Sequence, residues 1–178
     1  MVGYHGTTAT RARNILANGF KPSREAWDWL GEGIYFFEEN RDRARMWNPI
    51  SEHKRRRGRP AKRVMLGALI DLGASLDLTE PFTTSVLKLT AEALESVFRN
   101  EGKPLPQNDV AGSKRYFDKI LVDAHCSMRL QERSPVAVVR GVFEEGDRIH
   151  PNSSIRALSH VQLAVRDPAA IIGVWMER

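Results

Sequence analysis

The chain has one cysteine, Cys126, so it can form no internal disulfide. It has no run of about 18 apolar residues, which excludes a membrane-spanning helix. Its five histidines and single cysteine show no zinc-ligand spacing, so no metal is expected. The opening Met1-Val2-Gly3-Tyr4-His5 lacks a basic region followed by an apolar stretch. A secretory signal is therefore not expected, and a reducing, cytoplasmic setting is. Internal repeats are also missing. Acidic residues are absent from one place in particular: positions 54–63 hold Lys54, Arg55, Arg56, Arg57, Arg59, Lys62 and Arg63 and no carboxylate. Without these seven the net charge would be −2 rather than +5, so the protein reads as a near-neutral globule carrying one basic segment.

What remains is ordinary globular material. The 178 residues are 42% apolar and 28% charged, enough for one domain with a core of its own. Thr8 is placed to cap a helix with Ala9, Ala12, Ile15 and Leu16 at helical spacing and Gly19 as its stop. Residues 20–32 read as a loop holding Trp27 and Trp29, 33–37 as a strand, and 39–47 as a short helix ending before Pro49. The basic run fills a loop of roughly 48–62, and 64–70 is a continuously apolar strand. Further helices are expected at about 91–99, capped by Thr90, and at 113–129, with Phe117, Ile120, Leu121, Ala124 and Met128 as the apolar stripe. Between them 100–112 is an irregular connector, and 136–143, 161–165 and 171–175 read as strands. Strands and helices mix without βαβ alternation, which predicts an α+β fold.

Three segments draw attention by their order: Tyr4-His5-Gly6-Thr7-Thr8, then 29–36 with Gly33-Ile34-Tyr35-Phe36, then 159–167 with His160, Gln162 and Asp167. Taken singly, each has a plain reading as a turn, a strand aromatic and a solvated polar residue. Together they resemble the ADP-ribosyltransferases of the diphtheria-toxin and PARP-like class, whose signature is His, Tyr and usually Glu on three strands. The likeness runs over most of the chain and includes the helix ending in Asn18-Gly19-Phe20. It implies two small twisted sheets enclosing an NAD+ cleft, in a single domain of residues 1–178 with a basic insertion at about 48–63.

The resemblance also implies roles. His5 would hydrogen-bond the ribose beside the nicotinamide, as a neutral imidazole can. Gly6, lacking a Cβ, would let its backbone grip the carboxamide, with Thr7 beside it. Tyr35 would stack on the nicotinamide ring, opposite a second aromatic wall for which Trp47 is favoured over Met46. Trp29 and Trp27 fall where the family covers the dinucleotide, or else they pin that loop. At the third position stands Gln162, which can orient a hydroxyl but lacks the charge of the usual Glu. His160, two residues earlier on the same strand face, would orient the acceptor or take its proton.

The implied reaction is transfer of one ADP-ribose unit from NAD+ to a macromolecule, as in a bacterial toxin or phage-defence effector with an antitoxin or inhibitor partner. Arg57-Gly58-Arg59-Pro60 looks like an AT-hook, a minor-groove segment, although a generic phosphate-binding loop or a solvated insertion fits as well. Arg55, Arg56, Arg57, Arg59 and Lys62 therefore favour a nucleic-acid acceptor, RNA or DNA. The rivals are a protein acceptor, plain NAD+ hydrolysis, or a non-catalytic nucleic-acid-binding module with a degenerate site. Other groups attract simpler readings. Gly31-Glu32-Gly33 precedes a strand and is no dinucleotide fingerprint. His125 and Cys126 read as packing residues, and Asp118 and Asp123 as solvated helix charges.

Overall fold

The computed structural model describes residues 1–47, 62–110, 112 and 114–177. It is α+β, a seven-stranded mixed sheet with four helices. Strand β1 (Val2–Thr8) runs directly into helix α1 (Ala9–Asn18). Thr8 makes that switch: its Oγ1 accepts the Arg11 N–H at 3.3 Å and satisfies a donor of the first turn. Gly19, at φ 78°, ends the helix as expected. Strand β2 (Ile34–Glu38) follows the tryptophan loop, and helix α2 (Arg41–Met46) is capped by Asn40, whose side chain accepts from Arg43 N at 3.0 Å. Strand β3 (Arg63–Ile70) and the three-residue β4 (Ser75–Asp77) lead to helices α3 (Pro81–Asn100) and α4 (Tyr116–Gln131). Strands β5 (Val138–Phe143), β6 (His160–Val165) and β7 (Ile171–Glu177) complete the sheet.

Three expectations are corrected. Helix α3 begins at Pro81, ten residues before the expected start, with the proline in its first turn, where its missing N–H costs nothing. Thr90 is consequently no cap but a buried mid-helix residue whose Oγ1 lies 3.1 Å from His125 Nδ1 on α4. On α4 the buried residues are Val122, His125 and Cys126, while Met128, expected in the stripe, is exposed. The helix is rotated because its inner face must meet both the sheet and α3.

The third correction concerns the sheet. In place of two sheets there is one, in the order β4-β5-β6-β2-β1-β3-β7. Its two halves meet only between β1 and β2, through the pairs Gly3↔Glu38 and Tyr4↔Phe37. Beyond Tyr4 the ladder stops, whereas β1 stays paired with β3 along its whole length. Strand alternation then assigns the faces. Ile34, Phe36, Ala68, Ile70, Val138, Leu163 and Val165 form the core on one side. On the other, Trp29, Leu30, Leu76, Val122, Cys126, Val139 and Ala164 pack under α4, and Phe37, Ala44 and Met65 pack under α2. Full burial of a Leu or Phe such as Leu30 or Phe36 contributes about 1.5–3 kcal/mol each.

Candidate active site

The place where β1 and β2 part is spanned by a side chain. His5 Nδ1 lies 2.9 Å from the carbonyl oxygen of Tyr35. A carbonyl only accepts, so Nδ1 carries the proton and the neutral ring keeps its lone pair on Nε2. Burial lowers the His5 pKa from its ordinary value, and the Tyr35 carbonyl only partly opposes this, so the imidazole is neutral at pH 7. Its ring is wedged edge-on between Phe20 and Phe36, with centroids 5.3 and 5.9 Å away, on the first of the two sheet faces. Thr7, also buried, alternates in the same β1 strand at a two-residue spacing from His5.

Gly6 faces the other way, toward α2. A Cβ at that position would collide with the Ala44 carbonyl oxygen and press on Trp47 Cβ at 3.2 Å, so any side chain would force α2 off the strand. Trp47 sits at the end of that helix with its ring 6.0 Å from Phe37 and about half exposed. Tyr35 points to the same face. Its hydroxyl accepts the Leu30 N–H at 3.0 Å and donates to the Gly31 carbonyl at 2.9 Å, so it fastens the loop as well as presenting a ring. Burial pushes its pKa well above the ordinary phenol value.

On β6, Gln162 lies opposite Phe37. Its Oε1 accepts the Trp29 indole N–H at 2.7 Å, and its Nε2 lies 2.9 Å from His160 Nε2. His160 Nδ1 in turn is 2.7 Å from the Leu158 carbonyl. That carbonyl again fixes the tautomer: Nδ1 holds the proton, Nε2 accepts from the Gln162 amide, and every polar atom of the series is satisfied. Arg43 Nε lies 3.4 Å from the same Nδ1, but the nearer carbonyl takes the proton, and Arg43 is held instead by Glu145 at 2.5 Å and over the Phe37 ring. Burial lowers the His160 pKa, with the Leu158 carbonyl opposing and Arg43 reinforcing. The His160 side chain has no exposed surface. So buried, it presents no surface to an acceptor, against the expected contact, and its Nε2 is engaged by the Gln162 amide.

The structure thus brings Gly6, Tyr35, Trp47, Trp29, His160 and Gln162 to one face, while His5 and Thr7 point to the opposite face at the strand gap, so His5, Tyr35 and Gln162 are not gathered on one side. The two tryptophans of the loop part company. Trp29 is a buried pin, its ring 5.4 Å from Phe143, while Trp27 is 43% exposed. Of the basic residues, Arg55, Arg56, Arg57 and Arg59 lie outside the described residues. Lys62 is exposed, and its carbonyl accepts the Ala9 N–H at 2.9 Å.

Asp123 is not a solvated charge, against expectation. Its Oδ1 accepts from Glu32 N at 2.9 Å and Arg166 Nη1 at 2.7 Å, and its Oδ2 from Lys119 at 2.5 Å. Burial works against its charge, yet these donors hold the carboxyl below the usual carboxylate range. It thereby clamps the 29–33 loop whose Trp29 orients Gln162. No sequence signal marks it, because its partners lie 91 and 43 residues away. Arg43 and Glu145, 102 residues apart, were unreadable for the same reason. His125 and Cys126 are buried packing residues as expected, and burial raises the thiol pKa to about 11. No protein-family model matches the chain, and neither does any curated protein sequence.

Proposed function

We propose that the protein is an NAD+-dependent mono-ADP-ribosyltransferase acting on a macromolecular acceptor, preferably nucleic acid. One observation carries the reading: a neutral His5, locked to the Tyr35 carbonyl, stands where β1 and β2 separate. Gly6 and the half-exposed Trp47 ring lie beside that gap. His5 points to the opposite sheet face from Gly6 and Trp47, so a dinucleotide would have to enter the gap to meet all three. The free lone pair of His5 Nε2 accepts from a ribose hydroxyl. Gly6 itself lies tight against Ala44 and Trp47, which keeps α2 and its indole beside the strand. Trp47 offers an aromatic face for a planar pyridinium.

In the reaction the bond between ribose C1′ and the nicotinamide nitrogen breaks, and nicotinamide leaves with the electron pair. An acceptor oxygen or nitrogen then bonds to C1′ and loses its proton to water. Gln162, held at both ends by Trp29 and His160, supplies orientation and no negative charge, so the chemistry rests on positioning and on the acceptor's own nucleophilicity. Without the carboxylate, transfer stops at one unit.

The test is incubation with labelled NAD+ and cell lysate, followed by nuclease or protease digestion of separate aliquots. Nuclease-sensitive label supports the reading in full, and protease-sensitive label moves the acceptor to protein. Absence of both label and nicotinamide release would refute it. A second reading, a non-catalytic nucleic-acid-binding module, is favoured by the same Gln162 amide, whose two ends are already engaged by Trp29 and His160 and which carries no charge. Release of nicotinamide separates the two, and free ADP-ribose without acceptor would identify a hydrolase.

A further inference from the structure

A cleft lined by none of the residues of the proposed NAD+ site is linked to Gln162 through Trp29. The path to it is a chain of contacts. Gln162 bonds Trp29, and the Arg115 guanidinium stacks on Trp29 at 5.0 Å and Phe143 at 4.4 Å. Tyr116, next in sequence, lines a cleft of about 430 Å³ with Ala26, Pro106, Gln107, Lys119 and Ile120. Beside Ala26 stands Trp27. This tryptophan is 43% exposed, yet its backbone is held in a tight turn. Asp28 N–H donates to the Glu25 carbonyl at 3.2 Å, and Glu25 N–H donates to Asp28 Oδ2 at 2.8 Å. The turn is tied down on both sides, by the Ser23↔Gly33 bridge and by Gly31 N–H on the Asp28 carbonyl at 2.7 Å. Lys114 lies over the indole at 5.6 Å.

We infer that Trp27 and this cleft bind a base of a single-stranded nucleic acid by stacking. A large aromatic at the corner of a rigid turn gains little from burial, because much of its surface stays wet. Rigidity combined with exposure is what a stacking platform requires, since no ordering cost remains to be met on binding. Lys114 lies over one face of the indole and supplies positive charge there, beside the phosphate of a base stacked on the other face. Among the described residues no carboxylate lines the cleft, whose Lys119 is held by Asp123, and the Gln107 amide offers a donor and an acceptor to a base edge. The exposed indole and the Lys114 ammonium over it together point to an anion that carries flat rings. Single strands are favoured over duplex because a base inside a duplex is stacked on both faces and paired along its edge. The inference stands on residues outside the gap at His5 and is tested without turnover.

The experiment measures anisotropy of labelled 12-nucleotide RNA and DNA single strands, intact or with central abasic sites, against wild type, Trp27→Ala, Trp27→Phe and Lys114→Ala. Trp27→Ala should weaken binding of intact strands about 5- to 150-fold, the range that loss of one base stack produces. Trp27→Phe should retain most of the affinity. The abasic strand should bind wild type as weakly as the intact strand binds Trp27→Ala, and the two losses should not add. Lys114→Ala should reduce the salt dependence, and Trp27→Ala should leave it unchanged. Thermal melts confirm that the exposed substitutions leave the fold intact. Unchanged affinity in Trp27→Ala, equal binding of abasic and intact strands, no binding by wild type, or preference for duplex would each overturn the inference. So would a loss confined to NAD+, which would make the occupant the adenine of the dinucleotide. Nicotinamide release measured without oligonucleotide reports on the transferase reading separately.

Discussion

Replacing Gln162 by Glu, the change that restores the carboxylate common in the resembled class, has a consequence set by the neighbour it faces. In the wild type the Gln162 amide donates to a neutral His160 Nε2 at 2.9 Å while Leu158 takes the Nδ1 proton at 2.7 Å. A carboxylate still accepts from Trp29, but its second oxygen meets a lone pair. Above the imidazole range two acceptors would face each other, at a cost of about 1–3 kcal/mol. In a domain of this size that lowers Tm by roughly 2–12 °C. At lower pH the pair resolves by protonating His160, since a carboxylate in contact favours the charged ring by roughly 1.5–4 kcal/mol.

The two perturbations then oppose each other. Wild-type His160 titrates below the ordinary 6.5, so the unfolded chain binds the proton first and stability falls as pH drops through that value. In Gln162→Glu the carboxylate raises the folded ring's pKa relative to wild type, so the variant loses less stability than wild type as pH falls. Arg43 and Glu145 are the other charges facing the ring, and they hold each other. The Tm deficit of the variant should therefore be largest near pH 8 and shrink toward pH 5.5. Imidazole nitrogen NMR reads the titration directly. If His160 titrates at the same pH in both proteins, the Gln162 amide does not donate to Nε2 and the reasoning fails.

Four further outcomes follow from other contacts. Arg140 bonds both oxygens of Glu38, at 2.6 and 2.8 Å, and Asp77 at 3.0 Å, joining β2, β4 and β5. Arg140→Met strands Glu38, whose side chain is 12% exposed, and should cost about 3 kcal/mol in urea unfolding. Gly31 has φ 78°, and a Cβ there would lie 2.5 Å from Asp123 Oδ1 and 2.7 Å from Arg166 Nη1. Gly31→Ala should lose at least about 1–2 kcal/mol and speed amide exchange over 29–33, and an unchanged exchange pattern would argue against the Asp123 clamp. His5→Ala removes the proposed ribose contact and should weaken NAD+ binding about 5- to 150-fold by calorimetry, the effect of about 1–3 kcal/mol. Tyr35→Phe, which keeps the ring but releases Leu30 and Gly31, should act chiefly on stability.

Much of the chain was legible because its signals are local. Thr8 and Gly19 bracket α1 through contacts within four residues, and the large β-formers of 34–37 make a strand wherever they pair. Asp123, Arg43, Glu145 and the early start of α3 were not legible, because each depends on what packs against it. A solvated carboxylate and a loop clamp look the same along a helix until the sheet delivers Glu32 and Arg166 to one of them.

By itself, the amino-acid sequence determined the α+β class, the order of the main elements and which residue types lie on β1, β2 and β6, since propensity, capping and periodicity act over a few residues. Only the tertiary structure decided that the sheet is continuous across two residue pairs, that His5 bridges the gap beyond them, and that Gln162 is spoken for by Trp29 and His160. Those outcomes turn on strand register, where a slip of one residue would send every side chain to the opposite face. Register is settled by burying both faces of the whole sheet at once, a condition that no short stretch of sequence contains.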